Sequence, residues 1–265
     1  MTKAKKTANK PIFAEWKEIE KFTHFVAEPK LDGMRCFMKK INGKLELVRD
    51  DGRSKTLQFP EIIANNDIPE GTILDGEVCI PIDKYRADFE LISKRMNVTD
   101  SLKIRVRAKE NPASFIAFDV IKYDSKDIRN FSYTDRRKIL EDISIPRVDQ
   151  IDILELKKKV KELEMEGMVV KNPNDSYNGK WIKFKNLEER DFKVIGITSV
   201  TRPISSLVLA NQQGVEVGAV SYPSNRDMTI NPIGKTAIVI YQVMQNKTQK
   251  LRFPVLKELR DWIKN

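Results

Sequence analysis

Residues 28 to 48 read EPKLDGMRCFMKKINGKLELV. The second half of this stretch sets its shape. Apolar and polar residues alternate on both sides of Asn42-Gly43, the dipeptide of a tight type I′ turn, so a β-hairpin is expected to emerge directly from EPKLDG. The first half sets its chemistry. Lys30 stands two residues before Asp32, on the same face if this stretch is extended; Gly33 allows a backbone or a ligand to approach closely, and Arg35 follows. A lysine attacks only as the free amine, a role that arginine cannot take because its guanidinium stays charged.

Outward from the hairpin, strand-like runs recur at GTILDGEVCI (71–80), ASFIAFDVI (113–121), MVVK (168–171) and KWIKFK (180–185). Helices are predicted between them. FELISKRM has helical spacing, Ser132 with Asp135 forms a capping-box pattern before RRKIL, and Asp152 with Glu155 does the same before LELKKKVKELEME, a helix expected to stop at Gly167. After residue 187 the texture changes to short β-rich runs broken by Gly, Pro and Asn, closed by a helix-like VLKELRDWIK. The charged NLEERD (186–191) reads as a hinge between an α+β body, residues 1–187, and a small all-β domain, residues 188–265, whose five short strands suit an OB-type barrel or an SH3-like one. The lysine-rich first ten residues read as a flexible basic arm.

Composition narrows the function classes. The chain has 48 Lys and Arg against 38 Asp and Glu, a formal charge of +10, which points to a polyanionic partner and first of all to nucleic acid. No run approaches the roughly 18 apolar residues of a spanning helix, and the basic start lacks an apolar segment behind it, so a soluble, cytoplasmic protein is expected. Cys36 and Cys79 lie in strand-like runs and read as reduced, buried thiols; two cysteines exclude a four-cysteine zinc site. The single histidine, His24, reads as a structural or surface residue, which leaves little room for a histidine-dependent nucleophile.

Lys30 gains meaning because its chemical theme repeats at other strand ends. LDGE (74–77) offers Asp75 and Glu77 around a glycine, EGMVVK (166–171) offers a carboxylate and a lysine, and KWIKFK offers Lys183 and Lys185 on one strand face. Each has an ordinary reading: Gly76 as a turn, Gly167 as a helix terminator, paired lysines as a solvated face. Together, lysines, carboxylates and glycines at strand ends describe a site for a nucleoside triphosphate and its divalent metal.

In order and spacing, KLDGMR, Arg49, LDGEV, FIAFDV, EGMVVK and KWIKFK resemble the motifs of the covalent nucleotidyltransferases, and the set looks most like an ATP-dependent DNA ligase in a minimal two-domain form. The likeness covers about residues 28 to 185; EGMVVK followed by SYNGKWIKFK discriminates best, and FELISKR also fits. It implies an α+β adenylation domain with antiparallel sheets and a small OB-fold domain. It also implies that Lys30 takes AMP from ATP as a phosphoramidate, passes it to the 5′-phosphate of a nick in duplex DNA, and that the 3′-hydroxyl then displaces it.

The same resemblance implies the remaining roles. Lys183 and Lys185 would neutralise the α-phosphate; Glu77 and Glu166, assisted by Asp32, would hold ribose or Mg²⁺, for which Mn²⁺ can substitute. Phe118 would stack on adenine, with Phe115 three residues away as the competing core aromatic; Glu28 would select the base, Leu31 and Lys171 would lie at the nucleotide, and Arg35 and Arg49 would meet ribose or the nick phosphate. The Arg-x-Asp-Lys ending usual in such ligases is not cleanly present, leaving Arg252 and Arg260 as candidates for orienting pyrophosphate or touching DNA, and Lys180 stands where an arginine is common. A monomer without an obligate protein partner is expected, with no separate N-terminal DNA-binding domain before residue 25 and a β domain too short for a DNA-encircling insertion. NAD-dependent ligases, which need a four-cysteine zinc site, do not fit. An RNA guanylyltransferase or RNA ligase is the alternative enzyme, and a basic nucleic-acid-binding module the alternative without chemistry, though acids beside Lys30 would weaken such binding.

Overall fold

The computed structural model describes residues 9–198, 205–222, 231–242 and 250–261. Most of the basic arm, residues 1–8, and the last residues of the helix-like C-terminal stretch, 262–264, lie outside them. The chain divides into two compact units, Met1–Phe184 and Lys185–Asn265.

The first unit contains β1 (Ile12–Phe13), β2 (Val26–Pro29), β3 (Met34–Ile41), β4 (Lys44–Arg49), α1 (Pro60–Asn65), β5 (Ile73–Cys79), α2 (Phe89–Met96), α3 (Ser101–Glu110), β6 (Ser114–Tyr123), β7 (Lys126–Asp127), α4 (Tyr133–Asp142), α5 (Ile153–Glu162), β8 (Gly167–Lys171) and β9 (Ile182–Lys185). The hairpin forms as its sequence dictates. Asn42 and Gly43 both have positive φ, 52° and 72°, and Ile41 pairs with Lys44 across the turn. That hairpin is half of an antiparallel sheet ordered β4-β3-β5-β6-β7, while β1-β9-β8-β2 form a second sheet. Helices pack apolar faces onto these sheets: α5 contributes Ile153, Leu156 and Val160 to a core shared with Ala27, Met168, Val170 and Phe184.

Helix starts follow the local code. Asp88, Ser132 and Asp152 cap α2, α4 and α5 with side-chain oxygens that accept from backbone N–H groups of the first turn. The stop at Gly167 is corrected: α5 ends at Glu162, and Gly167 opens β8. Glu164, at φ 51°, takes the left-handed position, and Met165 N–H donates to Val160 O (3.0 Å) while burying its side chain beside it, a Schellman closure achieved without glycine.

The second unit is one five-stranded antiparallel sheet, ordered β12-β11-β10-β13-β14, from β10 (Leu187–Thr198), β11 (Ser205–Ala210), β12 (Glu216–Tyr222), β13 (Thr236–Gln242) and β14 (Arg252–Arg260). Leu251 N–H reaches Val217 O (2.7 Å), so the sheet curls until its edges meet. Two expectations change here. NLEERD, read as a hinge, is strand from its second residue: Leu187–Asp191 begin β10 and pair with Gln242–Ile238. The helix-like VLKELR is also strand, paired with β13, and a register shift between Ile238 and Val239 leaves Lys257 without a ladder partner. That bulge returns Leu256 and Leu259 to the core side at a spacing of three, which imitates a helical period.

Candidate active site

Lys30 sits where the chain leaves one sheet for the other, between β2 and β3. Because β2 and β8 pair antiparallel with Pro29 opposite Met168, Lys30 falls opposite Gly167, and its N–H donates to Gly167 O (3.1 Å). Glu166 lies just before β8, so the register itself delivers its carboxylate to the amine: Lys30 Nζ donates to Glu166 Oε1 at 2.6 Å. Gly33 makes the crossing possible, since a Cβ there would stand 2.4 Å from Val78 O.

The hairpin and β5 supply the next shell of charge by the same geometry. On the sheet face Arg35 lies directly opposite Glu77 and diagonal to Asp75. Its guanidinium donates to Asp75 Oδ1 (2.9 Å), and Tyr177 Oη donates to Asp75 Oδ2 (2.7 Å). Asp75, fully buried, is thus the anchor of Arg35, while Glu77 remains near Lys30. Burial pulls the Lys30 amine down, but Glu166, Glu77 and Asp32 outweigh it and leave the amine above the ordinary lysine value. Glu77 is pushed up to about 8, first by burial and then by Glu166, with Lys30 pulling the other way.

A second network forms the aromatic end of the cleft. Glu28 stands diagonal to Lys171 across β2 and β8, and the two buried side chains pair at 2.7 Å. Lys171 also donates to Phe118 O (2.8 Å) and lies over the rings of Trp181 (4.3 Å), Tyr133 (4.7 Å) and Phe118 (5.2 Å). Tyr133 Oη donates to Glu28 Oε1 and accepts from Gln150 (3.0 Å); burial and then Glu28 raise that hydroxyl well above its usual value. Phe118 is half-buried and meets Trp181 edge to face at 5.9 Å, while Phe115 is wholly in the core. Arg35 spans both rings, 5.3 Å from Phe118 and 5.4 Å from Trp181.

These groups surround a cleft of about 470 Å³. Glu28, Lys30, Leu31, Arg35, Arg49, Glu77, Phe118, Lys171 and Lys183 line it; Glu166 and Asp32 act on it through Lys30. In β9, Ile182 and Phe184 are buried whereas Lys183 and Lys185 are half-exposed on the opposite face. The unit boundary falls inside β9, so Lys185, its last residue, belongs with Arg252 and Arg260 to the second unit. There Lys185 lies 5.9 Å from the Phe253 ring, Arg252 lies over the same ring at 5.1 Å, and Arg260 pairs with Glu258 at 2.7 Å. Trp181, Tyr133 and Tyr177 were not anticipated. The two-residue spacing back from Lys183 was a usable signal for Trp181; the tyrosines carried none, because only the fold brings them to Glu28 and Asp75.

A family model described as the ATP dependent DNA ligase domain matches residues 10–185, the span that builds both networks. The chain belongs to the ATP-dependent DNA ligase domain family. Among relatives, the bifunctional non-homologous end joining protein LigD of Bacillus subtilis (strain 168) is 27% identical over 249 residues, covering 82% of this chain but 39% of that protein. The SPbeta prophage-derived DNA ligase-like protein LigB of the same organism is 27% identical over 218 residues, covering 78% of this chain and 76% of LigB. The chain therefore spans well under half of the first relative and about three quarters of the second. A solved structure from a structure-function study of Lig E DNA ligases superposes with a TM-score of 0.71 at 17% identity, over 96% of this chain and 100% of that one. The ligase domain of M. tuberculosis LigD gives 0.54 at 18% identity over 89% of each chain. The fold is accordingly that of a DNA ligase core, an α+β nucleotidyltransferase domain with antiparallel sheets followed by a small OB-fold domain. No helix among the described residues is long and apolar enough to cross a membrane.

Proposed function

We propose that this protein is an ATP-dependent DNA ligase that seals 5′-phosphate/3′-hydroxyl nicks in duplex DNA through a lysyl-AMP intermediate. The observation that carries the reading is Lys30 held by Glu166 at 2.6 Å on the wall of a cleft whose other end is lined by Phe118 and Trp181. In the first step Lys30 Nζ forms a bond to the α-phosphorus of ATP, the bond from that phosphorus to the bridging oxygen breaks, and pyrophosphate departs. The amine must shed its protons to attack, and Glu166 is the group placed to take one. The DNA 5′-phosphate then displaces Lys30, and the 3′-hydroxyl displaces AMP. Each step passes through a charged transition state, so positioning and neutralisation carry most of the catalysis.

Phe118, with Trp181 at its edge, offers a face for adenine, and Leu31 lies beside it. Glu28, held in place by Lys171 and Tyr133, fixes the polar edge of that pocket. Lys183 neutralises the α-phosphate from within the cleft, with Lys185 following it on the strand, and Arg35 and Arg49 meet ribose or the nick phosphate. Arg252 and Arg260 remain candidates for pyrophosphate or DNA.

The carboxylates also fit a divalent metal. Burial first, and then Glu166 and Asp32, hold Glu77 up to about 8 against the pull of Lys30 and Arg35, and a hard cation would favour its charged form. Among the described residues no group of three His, Cys, Asp or Glu is placed to hold a metal ion by itself, so an ion here would have to draw much of its shell from phosphate and water. Mg²⁺, or Mn²⁺ in its place, held by Glu77 and Glu166 with Asp32 nearby, would supply charge neutralisation on the phosphates. The division into residues 1–187 and 188–265, a monomeric state and a place inside the cell belong to the same reading. Intact mass tests it: the chain gains one AMP with ATP and Mg²⁺ and loses it on addition of nicked duplex. A chain freed of bound AMP that never gains the adduct refutes the proposal.

A further inference from the structure

α3 departs from the rule that a surface helix buries an apolar stripe. Its sequence SLKIRVRAKE carries Lys103, Arg105, Arg107 and Lys109 against a single acid, Glu110, at its last position. Only Ile104 is buried, while Leu102 is 63% and Val106 44% exposed. At 100° per residue, Leu102, Val106 and Lys109 share the face opposite Ile104, flanked by Lys103 and Arg105. An ordinary solvated helix neutralises its charges one turn away, as α2 does with Lys94–Glu90 (2.7 Å) and α4 with Lys138–Asp135 (3.8 Å). Lys103, Arg105 and Lys109 are exposed, and none pairs with an acid among the described residues.

The position of α3 gives this face a partner. Phe89 and Met96 of α2 line the reactive cleft together with Arg49. Arg107 donates to Lys94 O and so clamps α3 to α2 beside its Met96 end, where Lys55 in turn donates to Met96 O (2.6 Å). α3 therefore packs beside the helix that lines the cleft, with its basic face turned to solvent.

We propose that the outer face of α3 is a phosphodiester-binding surface that grips duplex DNA beside the reactive cleft; the inference rests on the ligase reading above. Lys103, Arg105 and Lys109 take backbone phosphates, and Leu102 and Val106 meet the sugar edges between them. Arg105 and Lys109 are about 6 Å apart along the helix axis, close enough to act on neighbouring phosphates of one strand. Such contacts carry no sequence information, as sealing of arbitrary nicks requires.

The test is the full-length variant Lys103→Ala/Arg105→Ala/Lys109→Ala, with Lys157→Ala/Lys158→Ala/Lys161→Ala on α5 as an equal loss of charge elsewhere. The α3 variant should acquire AMP as fast as the wild type. Its affinity for nicked duplex should fall roughly 10- to 100-fold at ~0.1 M salt, and the slope of log affinity against log salt should shrink by about 2.7, at about 0.9 per phosphate contact. The α5 variant should keep the wild-type slope, and the single reversal Arg105→Glu should weaken binding in the same direction as the triple change. If the α3 variant adenylates normally and keeps both affinity and slope, the proposal is overturned, and the face is left to solvent or to a protein. A wild type that never gains AMP would instead refute the ligase reading.

Discussion

Replacing Lys171 by Met tests the buried network at the aromatic end of the cleft. Lys171 is 1% exposed and Glu28 2% exposed, so Lys171→Met removes the cation and strands a carboxylate with Tyr133 and, at 3.8 Å, Arg137. Breaking a buried pair from one side costs about 3–5 kcal/mol, and methionine recovers only part of the ring contacts of the lost ammonium. With an m-value of about 2 kcal/mol/M, the urea midpoint should drop by about 1.5–2.5 M, followed by tryptophan fluorescence because Trp181 lies 4.3 Å from the ammonium. The decisive measurement is the double variant Glu28→Gln/Lys171→Met. Its neutral amide still accepts from Tyr133, no charge remains stranded, and a coupling of about 2 kcal/mol or more should appear in the cycle. Costs that add to within about 0.5 kcal/mol would refute the claim that the two charges stabilise the fold only as a pair.

Three further outcomes follow. Lys30→Ala should abolish the AMP adduct seen by intact mass yet retain sealing of a pre-adenylated nick; sealing of ordinary nicks with ATP would refute Lys30 as the nucleophile. Gly33→Ala, whose Cβ would stand 2.4 Å from Val78 O, should cost about 1–3 kcal/mol and lower the thermal midpoint, and an unchanged midpoint would contradict the tight crossing. Because nearby carboxylates hold the Lys30 amine above the ordinary lysine value, its reactive neutral form grows as pH rises. Single-turnover adenylation should therefore climb from pH 6 to 9, and Glu77→Gln, which removes the raising charge that Glu77 gains as it ionises through about 8, should move the upper part of that climb toward lower pH. A profile that stays in place would show that Glu77 does not act on the amine.

What was legible in the sequence was what is written locally. Asn42-Gly43 closes its hairpin, and Ser132 and Asp152 cap their helices, because those effects depend on residues a few positions apart. α3 was invisible for a physical reason: with Ile104 as its single buried residue it has no apolar period to detect. β14 was misread because a bulge converts strand alternation into a spacing of three. In the site, motif residues could be named but not their partners. That Asp75 serves Arg35, and that Lys171 serves Glu28, depends on diagonal positions across paired strands, and only the registers of β3 with β5 and β2 with β8 reveal them.

Those registers also decide a competition that residue types leave open. Burial and neighbouring cations favour a neutral Lys30, and adjacent carboxylates favour a charged one. With Glu166 at 2.6 Å and Glu77 and Asp32 behind it, the carboxylates prevail, so the lysine rests protonated. Such an amine is inert toward stray electrophiles. In the proposed reaction it would become reactive once the surrounding negative charge is taken up by something else, with Glu166, at 2.6 Å, placed to accept the departing proton. Under the proposed ligase reading, the cluster that keeps this amine charged ties its activation to occupancy of the cleft. The weakness of KxDG as an isolated sequence signal has the same origin: the lysine acquires its behaviour from acids 47 and 136 positions away, brought to it by strand pairing.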